Sequence, residues 1–341
     1  MQVDAVLALK PEFARSPSAH NTQPWVLTRD PDDPNSLLLS WQEDRTLPVA
    51  DPAMRDNFLG LGAYVETVLT VTAEADITLR FEPDIDVLRR CAGRFSDAGD
   101  ARHQTPFTSA DIASRGCSRI KYEEGCIAPD DLAAVDQHAR QARGSIAHIS
   151  SRTLITTLVD ADRHMWRDAA VTAELRSWLR LSKRHPNYHR DGLTYEALAM
   201  AASEAAALKV MASPPVYATL RPLGLPSLLA SFSKPLLDYD GSVLVLMGPA
   251  GPPVGSVEAH ELELRMGQVL MRTWLELNAR GLSVHPLSQI IDAPDTYAAL
   301  HGLIEAGDDD RLFAIFRVGR SQGPPVRSSR IAETTSGSPI A

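Results

Sequence analysis

Ser16-Pro-Ser-Ala-His-Asn-Thr-Gln-Pro-Trp25 is the stretch around which the rest of the sequence can be ordered. Pro17 and Pro24 fix their own φ and push the residues before them out of the helical region, so the backbone reads as an extended, rigid loop. Asn21 and Gln23 each carry an amide donor and a carbonyl acceptor, a pair suited to the edge of a heterocycle that alternates C=O and N–H groups. Trp25 supplies an anchor in the core. A polar surface turn tied down by one tryptophan has the same composition, and composition alone leaves both readings open.

The flanks are ordinary helix and strand signals. Val3–Phe13 reads as a short helix leading into the loop. Trp25–Arg29 and Ser36–Trp41 read as strands parted by Asp30-Pro-Asp-Asp-Pro34. Met54–Glu74 is a long helix, with Phe58, Leu61, Val65, Val68 and Leu69 on one face and Gly60 and Gly62 open to a close neighbour. Thr78–Phe81 is a strand. The pattern is weak from Pro83 to Gln104, which sets the expected boundary between a first unit, 1–104, and a second, 105–330. Residues 331–341 are expected to be a poorly ordered tail.

The second unit opens with Arg115, Arg119 and Lys121 within seven residues. Pro129, Asp130 and Asp131 start a helix that Gly144 can close. Ala147–Ile149 reads as a strand and Ser151–Leu181 as one or two helices. Glu196–Met211 is an alanine-rich helix. Ser213–Pro226, with four prolines, reads as a loop, either a lid or plain surface. Ser242–Met247 and Leu312–Val318 are buried strands. Between them lies the helix Glu258–Arg280, with Gly281 placed as its C′ residue. Each unit therefore has one long helix with strands before and after it, the arrangement a fused dimer would leave.

At 341 residues with 44% hydrophobic and 23% charged content, the chain has material for a substantial core. A net charge of −9 argues against general binding to nucleic acid or an anionic membrane, so an anionic ligand needs a local arginine cluster. Cys91, Cys117 and Cys126 form neither a disulfide framework nor a metal-binding spacing. No signal peptide or membrane span is read. The expected setting is the cytoplasm, with no metal, a small-molecule substrate and a monomer sufficient for the site.

The order Pro-Ser-x-x-Asn-x-Gln-Pro-Trp resembles the flavin-edge loop of the nitroreductase superfamily. With Arg-rich and C-terminal basic segments in the second unit, the whole resembles the Acg-type tandem nitroreductases over roughly Phe13–Arg330. The resemblance implies an α+β, nitroreductase-like fold of two tandem repeats. These would form an intramolecular pseudo-dimer, with central mixed sheets surrounded by helices and one FMN per chain. The flavin-edge residues carried over are Pro17, Ser18, Asn21 and Gln23. Arg115 and Arg119 match the family's phosphate-binding arginines, although Gly116 and Cys117 stand where an arginine and a hydroxyl are usual. Arg327 and Arg330 match its C-terminal basic group. Gly281–Gln289 resembles the segment beside flavin N5, which brings in Pro286, Leu287, Ser288 and Gln289. Ser288 and Gln289 are the candidates nearest N5, whereas His285 reads as a structural histidine. Arg190-Asp-Gly-Leu-Thr194 stands where a second loop would be and lacks the motif.

The implied activity is FMN-dependent oxidoreduction, with hydride passing through flavin N5 to or from a nitro compound, quinone, enone or biosynthetic intermediate. NAD(P)H is the candidate reductant. The alternative is a flavin-binding or flavin-storing protein whose FMN is covered by the 213–226 segment, with no nicotinamide turnover.

Overall fold

Arg55–Glu74 is buried on every side from Asn57 to Ala73, the condition of a helix held inside a protein rather than on its surface. In the computed structural model, which describes residues 2–331, it packs along a second long helix, Val257–Ala279. Ser256 caps that second helix by accepting the Ala259 N–H. Gly281, just past its end, takes φ +72°, the left-handed closing conformation.

The two helices meet through glycines. A Cβ on Gly62 would strike the backbone carbonyl of Leu264, and one on Gly267 would strike that of Leu59. Leu59/Gly62 and Leu264/Gly267 share one spacing, so each helix presents the same pair to the other, as in contacts about a two-fold axis. The exchange reaches the cores. Leu264 joins the cluster around Phe13, Phe58 and Phe95, and Leu59 joins the cluster around Met266 and Phe316. Each fully buried phenylalanine contributes about 1.5–3 kcal/mol relative to exposure.

The first sheet comprises β1 (Trp25–Arg29), β2 (Leu37–Trp41), β3 (Leu79–Asp86) and β4 (Cys91–Asp97), in the order β1-β2-β4-β3. The later strands are β5 (Ser145–Ser150), β6 (Leu179–Arg180), β7 (Leu193–Thr194), β8 (Ser242–Pro249), β9 (Ser283–Pro286) and β10 (Asp310–Gly319). Four of them form a second sheet in the order β5-β8-β10-β9, and β6 and β7 make a separate pair. Pairing inside both four-stranded sheets is antiparallel, which corrects the expectation of mixed sheets. Among the described residues, parallel contact is confined to β6–β7 and one bridge, Cys117–Val284. That bridge lays the Arg115–Arg119 segment along β9, with the Ser118 N–H donating to the Val284 carbonyl at 2.9 Å.

Other expectations shift for local reasons. The weak region after Pro83 holds the second half of a β-hairpin. Pro83 is tolerated because β3 is an edge strand, and a bulge between Pro83 and Asp86 breaks the period that would have shown it. Val3–Phe13 divides into Val3–Ala8 and Lys10–Phe13 because Pro11 belongs in a first turn. Ser151–Leu181 divides at Asp168, whose carboxylate accepts from the Ala170 and Val171 N–H groups and starts Ala169–Trp178. The alanine-rich helix begins only at Ala202. Ser213–Pro226 is not a loop: it contains Pro214–Leu220, a 3₁₀ turn at Arg221–Leu223, and the start of Leu225–Ser231. Its prolines fall in first turns, where a missing N–H costs no intrahelical bond. The expected tail, past Ile331, lies outside the described residues.

Candidate functional site

The 16–25 loop is bent more sharply than its prolines imply. Ser18 is extended, but His20, Asn21 and Gln23 take φ of 47°, 56° and 54°. Left-handed residues other than glycine cost roughly 1–2 kcal/mol each, so the surroundings must hold them. The carboxamides do so. Asn21 Nδ2 donates to the carbonyls of Gly192 (3.2 Å) and Ser329 (3.1 Å), and its Oδ1 accepts from Arg330 Nη1 at 2.8 Å. Gln23 Nε2 donates to the Arg190 carbonyl at 2.9 Å, and its Oε1 accepts the Ile331 N–H at 3.0 Å. Ser18 Oγ accepts the Gln23 N–H at 2.9 Å, and Trp25 stacks on Tyr64 at 4.9 Å.

Asn21 and Gln23 thus knit the first loop to the 190–192 turn and the 328–331 segment. Gln23 is thereby held off the adjoining cavity, whereas Asn21 also lines it. The Gly192 N–H returns a bond to the Asn21 carbonyl at 3.2 Å. The 16–25 loop and the 190–192 turn therefore lie against each other. Asp191 is fixed between Arg180 (2.7 Å) and Arg45 (3.2 Å).

Beside this knot opens a cavity of about 470 Å³, within the usual range for small-molecule sites. Pro17, Ser18 and Asn21 line it, as do Arg115, Arg119, Pro286, Ser288, Gln289, Arg327 and Arg330. Gln23 does not, being spent on the knot. Leu287 does not either, because its side chain is fully buried in the core behind β10. The Leu287 N–H is committed to the Ile315 carbonyl at 2.8 Å. No described residue accepts from the backbone N–H of Ser288 or Gln289.

One end of the cavity is strongly basic, and Arg15, which the sequence reading passed over, belongs to it. Arg115 Nη2 donates to the Arg15 carbonyl at 2.8 Å, and Arg330 Nε donates to that of Ala14 at 2.6 Å. Arg327 donates to the Ala113 carbonyl, and Arg119 to that of Ala197 at 3.3 Å. No described acid forms an ion pair with Arg115, Arg119, Arg327 or Arg330. Burial draws the pKa of Arg330 down to about 9, with the like charges of Arg115 and Arg15 adding to the effect. Burial likewise lowers Arg15 to about 10, helped by Arg327 and Arg115. Arg115 is also pulled down by burial, against the neighbouring Cys117 thiol, and its buried Nε and Nη1 have no oxygen acceptor among the described residues, the weakly accepting Cys117 sulfur being the side chain beside them. Buried guanidinium N–H groups without acceptors are costly, and a multivalent oxyanion would relieve that cost.

His285 faces the same cavity, although it was expected to be purely structural. Its Nδ1 accepts from Arg317 Nε at 3.1 Å. Arg317 is locked by the Leu236 and Ile120 carbonyls, both at 2.9 Å, and stacks 4.1 Å above Tyr122. A guanidinium can only donate, so a neutral His285 must carry its proton on Nε2. Burial and the nearby Arg119 and Arg317 keep it neutral. His20, also in the lining, is held neutral by burial, near pKa 4, with Arg119 assisting against Asp56.

Other lining residues are acidic or apolar. Arg55 bridges Asp56 and Asp292, both at 2.6 Å, and both acids line the cavity. Burial raises Asp51 and Asp292, Asp56 adding to both against Arg55. Burial also lifts Asp162 to about 6, against hydrogen bonds from Ser233 and Gln289. Met165, Trp166, Leu175, Leu179 and Met200 make the apolar wall. No residue of 213–226 lines the cavity, which corrects the lid reading. Tyr217 packs behind Trp166, its hydroxyl donating to the Trp166 carbonyl, while Leu208 and Leu236, to either side of the segment, reach the lining. Among the described residues, no cluster of His, Cys, Asp and Glu is arranged to hold a metal ion, and no helix is long and apolar enough to cross a membrane.

No protein-family model matches the chain, and no curated protein matches it. Solved structures give distant alignments. A nitroreductase-like family protein from Bacillus cereus aligns at 14% identity and TM-score 0.37, covering 70% of this chain and 99% of its own. The FMN-dependent nitroreductase NfnB from Mycobacterium smegmatis, solved with NADPH, aligns at 18% identity and TM-score 0.37, covering 68% and 96%. A BluB-like flavoprotein from Clostridium difficile 630 aligns at 13% identity and TM-score 0.40, covering 68% and 98%. Likeness at this level assigns no activity.

Proposed function

We propose that this chain is an FMN-dependent oxidoreductase of the nitroreductase superfamily, of the Acg-type tandem form. In this reading 1–104 and 105–330 are two repeats fused into a pseudo-dimer. The observation that carries the proposal is Arg115, buried with two guanidinium nitrogens that have only the Cys117 sulfur beside them and no oxygen acceptor, in the lining of a cavity that the 16–25 loop also lines. FMN fits such a donor set, because its phosphate supplies the missing acceptors and its ring system suits the apolar remainder. The reciprocal Leu59/Gly62 and Leu264/Gly267 contact supports the fused-dimer reading, as does the facing of the 21–23 and 190–192 loops.

The chain's own residues would then act as follows. Arg115, Arg119, Arg327 and Arg15 hold the phosphate, and Arg330 fixes the Asn21 knot from beside them. His285 offers a neutral Nε2–H to the same end. The Ser288 and Gln289 backbone N–H groups, which no described residue accepts from, would be the donors left to stabilise negative charge on a reduced ring. Bound flavin supplies hydride transfer, with NAD(P)H as the proposed reductant. Asp162, protonated below about pH 6, lies beside Gln289. The Met165–Trp166 wall suits a flat acceptor with an apolar body, such as a quinone, nitroarene or enone. Only one loop carries the motif, so one FMN per chain is proposed. The test is titration of the purified chain with FMN, followed by anaerobic NADPH. Saturable binding and bleaching support the reading, and failure to bind removes it.

A further inference from the structure

We propose that the Arg221–Lys234 face docks on an anionic lipid surface. Leu223, Leu228 and Phe232 are 76%, 51% and 64% exposed. A single exposed apolar side chain is ordinary. Here three stand on one short turn-helix segment, with Leu228 and Phe232 one helical turn apart. Leu225, Leu229 and Ala230 of the same segment are buried against Trp166 and Leu175, so the body of the protein already holds the helix by its inner face. The outer face is left apolar without being needed for folding.

Charge identifies the partner. The chain carries −9 overall, yet no Asp or Glu occurs between Glu204 and Asp238. Lys209, Arg221 and Lys234 fall inside that gap and all three are exposed. The first acid beyond it, Asp238, stands 4.0 Å from Arg152. Exposed leucine and phenylalanine flanked by cations, in a segment without acids of its own and with the exposed Asp160 of the neighbouring helix paired to Arg163, is the chemistry of an interfacial segment on anionic headgroups. A second copy fits less well, because a self-paired contact would bring Arg221 and Lys234 against their own counterparts. The inference does not depend on which cofactor the cavity holds.

The test uses the full chain with two kinds of vesicle, phosphatidylcholine alone and phosphatidylcholine enriched in phosphatidylglycerol, read by co-sedimentation at low and high salt. Binding to the anionic vesicles, weakened by salt, is expected. R221Q and K234Q should each lower the partition about fivefold. L228S/F232S should abolish it while leaving the thermal unfolding midpoint unchanged within a few degrees, since both side chains face outward. No binding to either vesicle would overturn the proposal, as would variants that bind like the parent. A dimer that L228S/F232S dissociates, with no vesicle binding, would assign the face to a second copy and overturn it equally.

Discussion

Gly62 lies so close to the backbone carbonyl of Leu264 that no side-chain carbon fits between them. The relation is mirrored by Gly267 on the carbonyl of Leu59. Central helices that approach this closely cannot shift without moving both cores, because Leu59 and Leu264 each pack into the opposite one.

Gly62→Ala and Gly267→Ala are therefore expected to destabilise by about 1–3 kcal/mol each or more, since the obstructing atoms are backbone and cannot rotate away. Their effects should be non-additive, because both act on one helix crossing. Urea unfolding of the two single variants and the double variant measures this.

Asn21→Ala should cost about 1–3 kcal/mol of stability as well as weakening flavin binding. It leaves the Gly192 carbonyl without its side-chain donor and takes the shortest of three acceptors from Arg330 Nη1, which keeps the Ser328 and Ser329 carbonyls. A variant that lost flavin affinity with unchanged unfolding would contradict the knot. Parallel urea melts and FMN titrations separate the two effects.

The loop was legible as a motif but not as a shape. Its prolines imply extended backbone, whereas carboxamide bonds to partners some 170 and 310 residues away hold three left-handed residues. No local pattern records such partners. The two long helices and the buried strands β8 and β10 could be read because apolar side chains mark them continuously. β4 could not, because the Pro83–Asp86 bulge and several charges hide its hairpin. Within the site, Arg115 and Arg119 stood out by spacing and Arg327 and Arg330 by resemblance. Arg15 and His285 adjoin segments the resemblance had marked, but only the fold brings their side chains into the cavity.

Asp162 gives a pH dependence with a definite sign. Its folded carboxyl keeps a proton to about pH 6, whereas an unfolded aspartate releases it near pH ~4. The native state binds more protons between those values, so the stability contributed by the neutral form is full below about pH 4 and lost as pH rises through about 6. Asp162→Asn should remove this fall. It should be more stable than the parent by about 2–3 kcal/mol at pH 7.5, with little difference near pH 4. Denaturant melts at the two pH values test it.

Arg115→Met should separate binding from stability in opposite directions. Removing a buried, partly unpaired guanidinium is expected to leave the flavin-free protein as stable as the parent or more so. Loss of a charge-assisted contact should weaken FMN binding by about 1.5–3 kcal/mol. A melt without flavin and a titration with it are sufficient.

The FMN stoichiometry of the purified chain, followed by flavin fluorescence and absorbance during titration, tests the proposed site most directly. The account predicts saturation at one equivalent per chain, with Arg115→Met requiring roughly ten- to a hundredfold more FMN. No saturable binding, or two equivalent sites per chain, would contradict it.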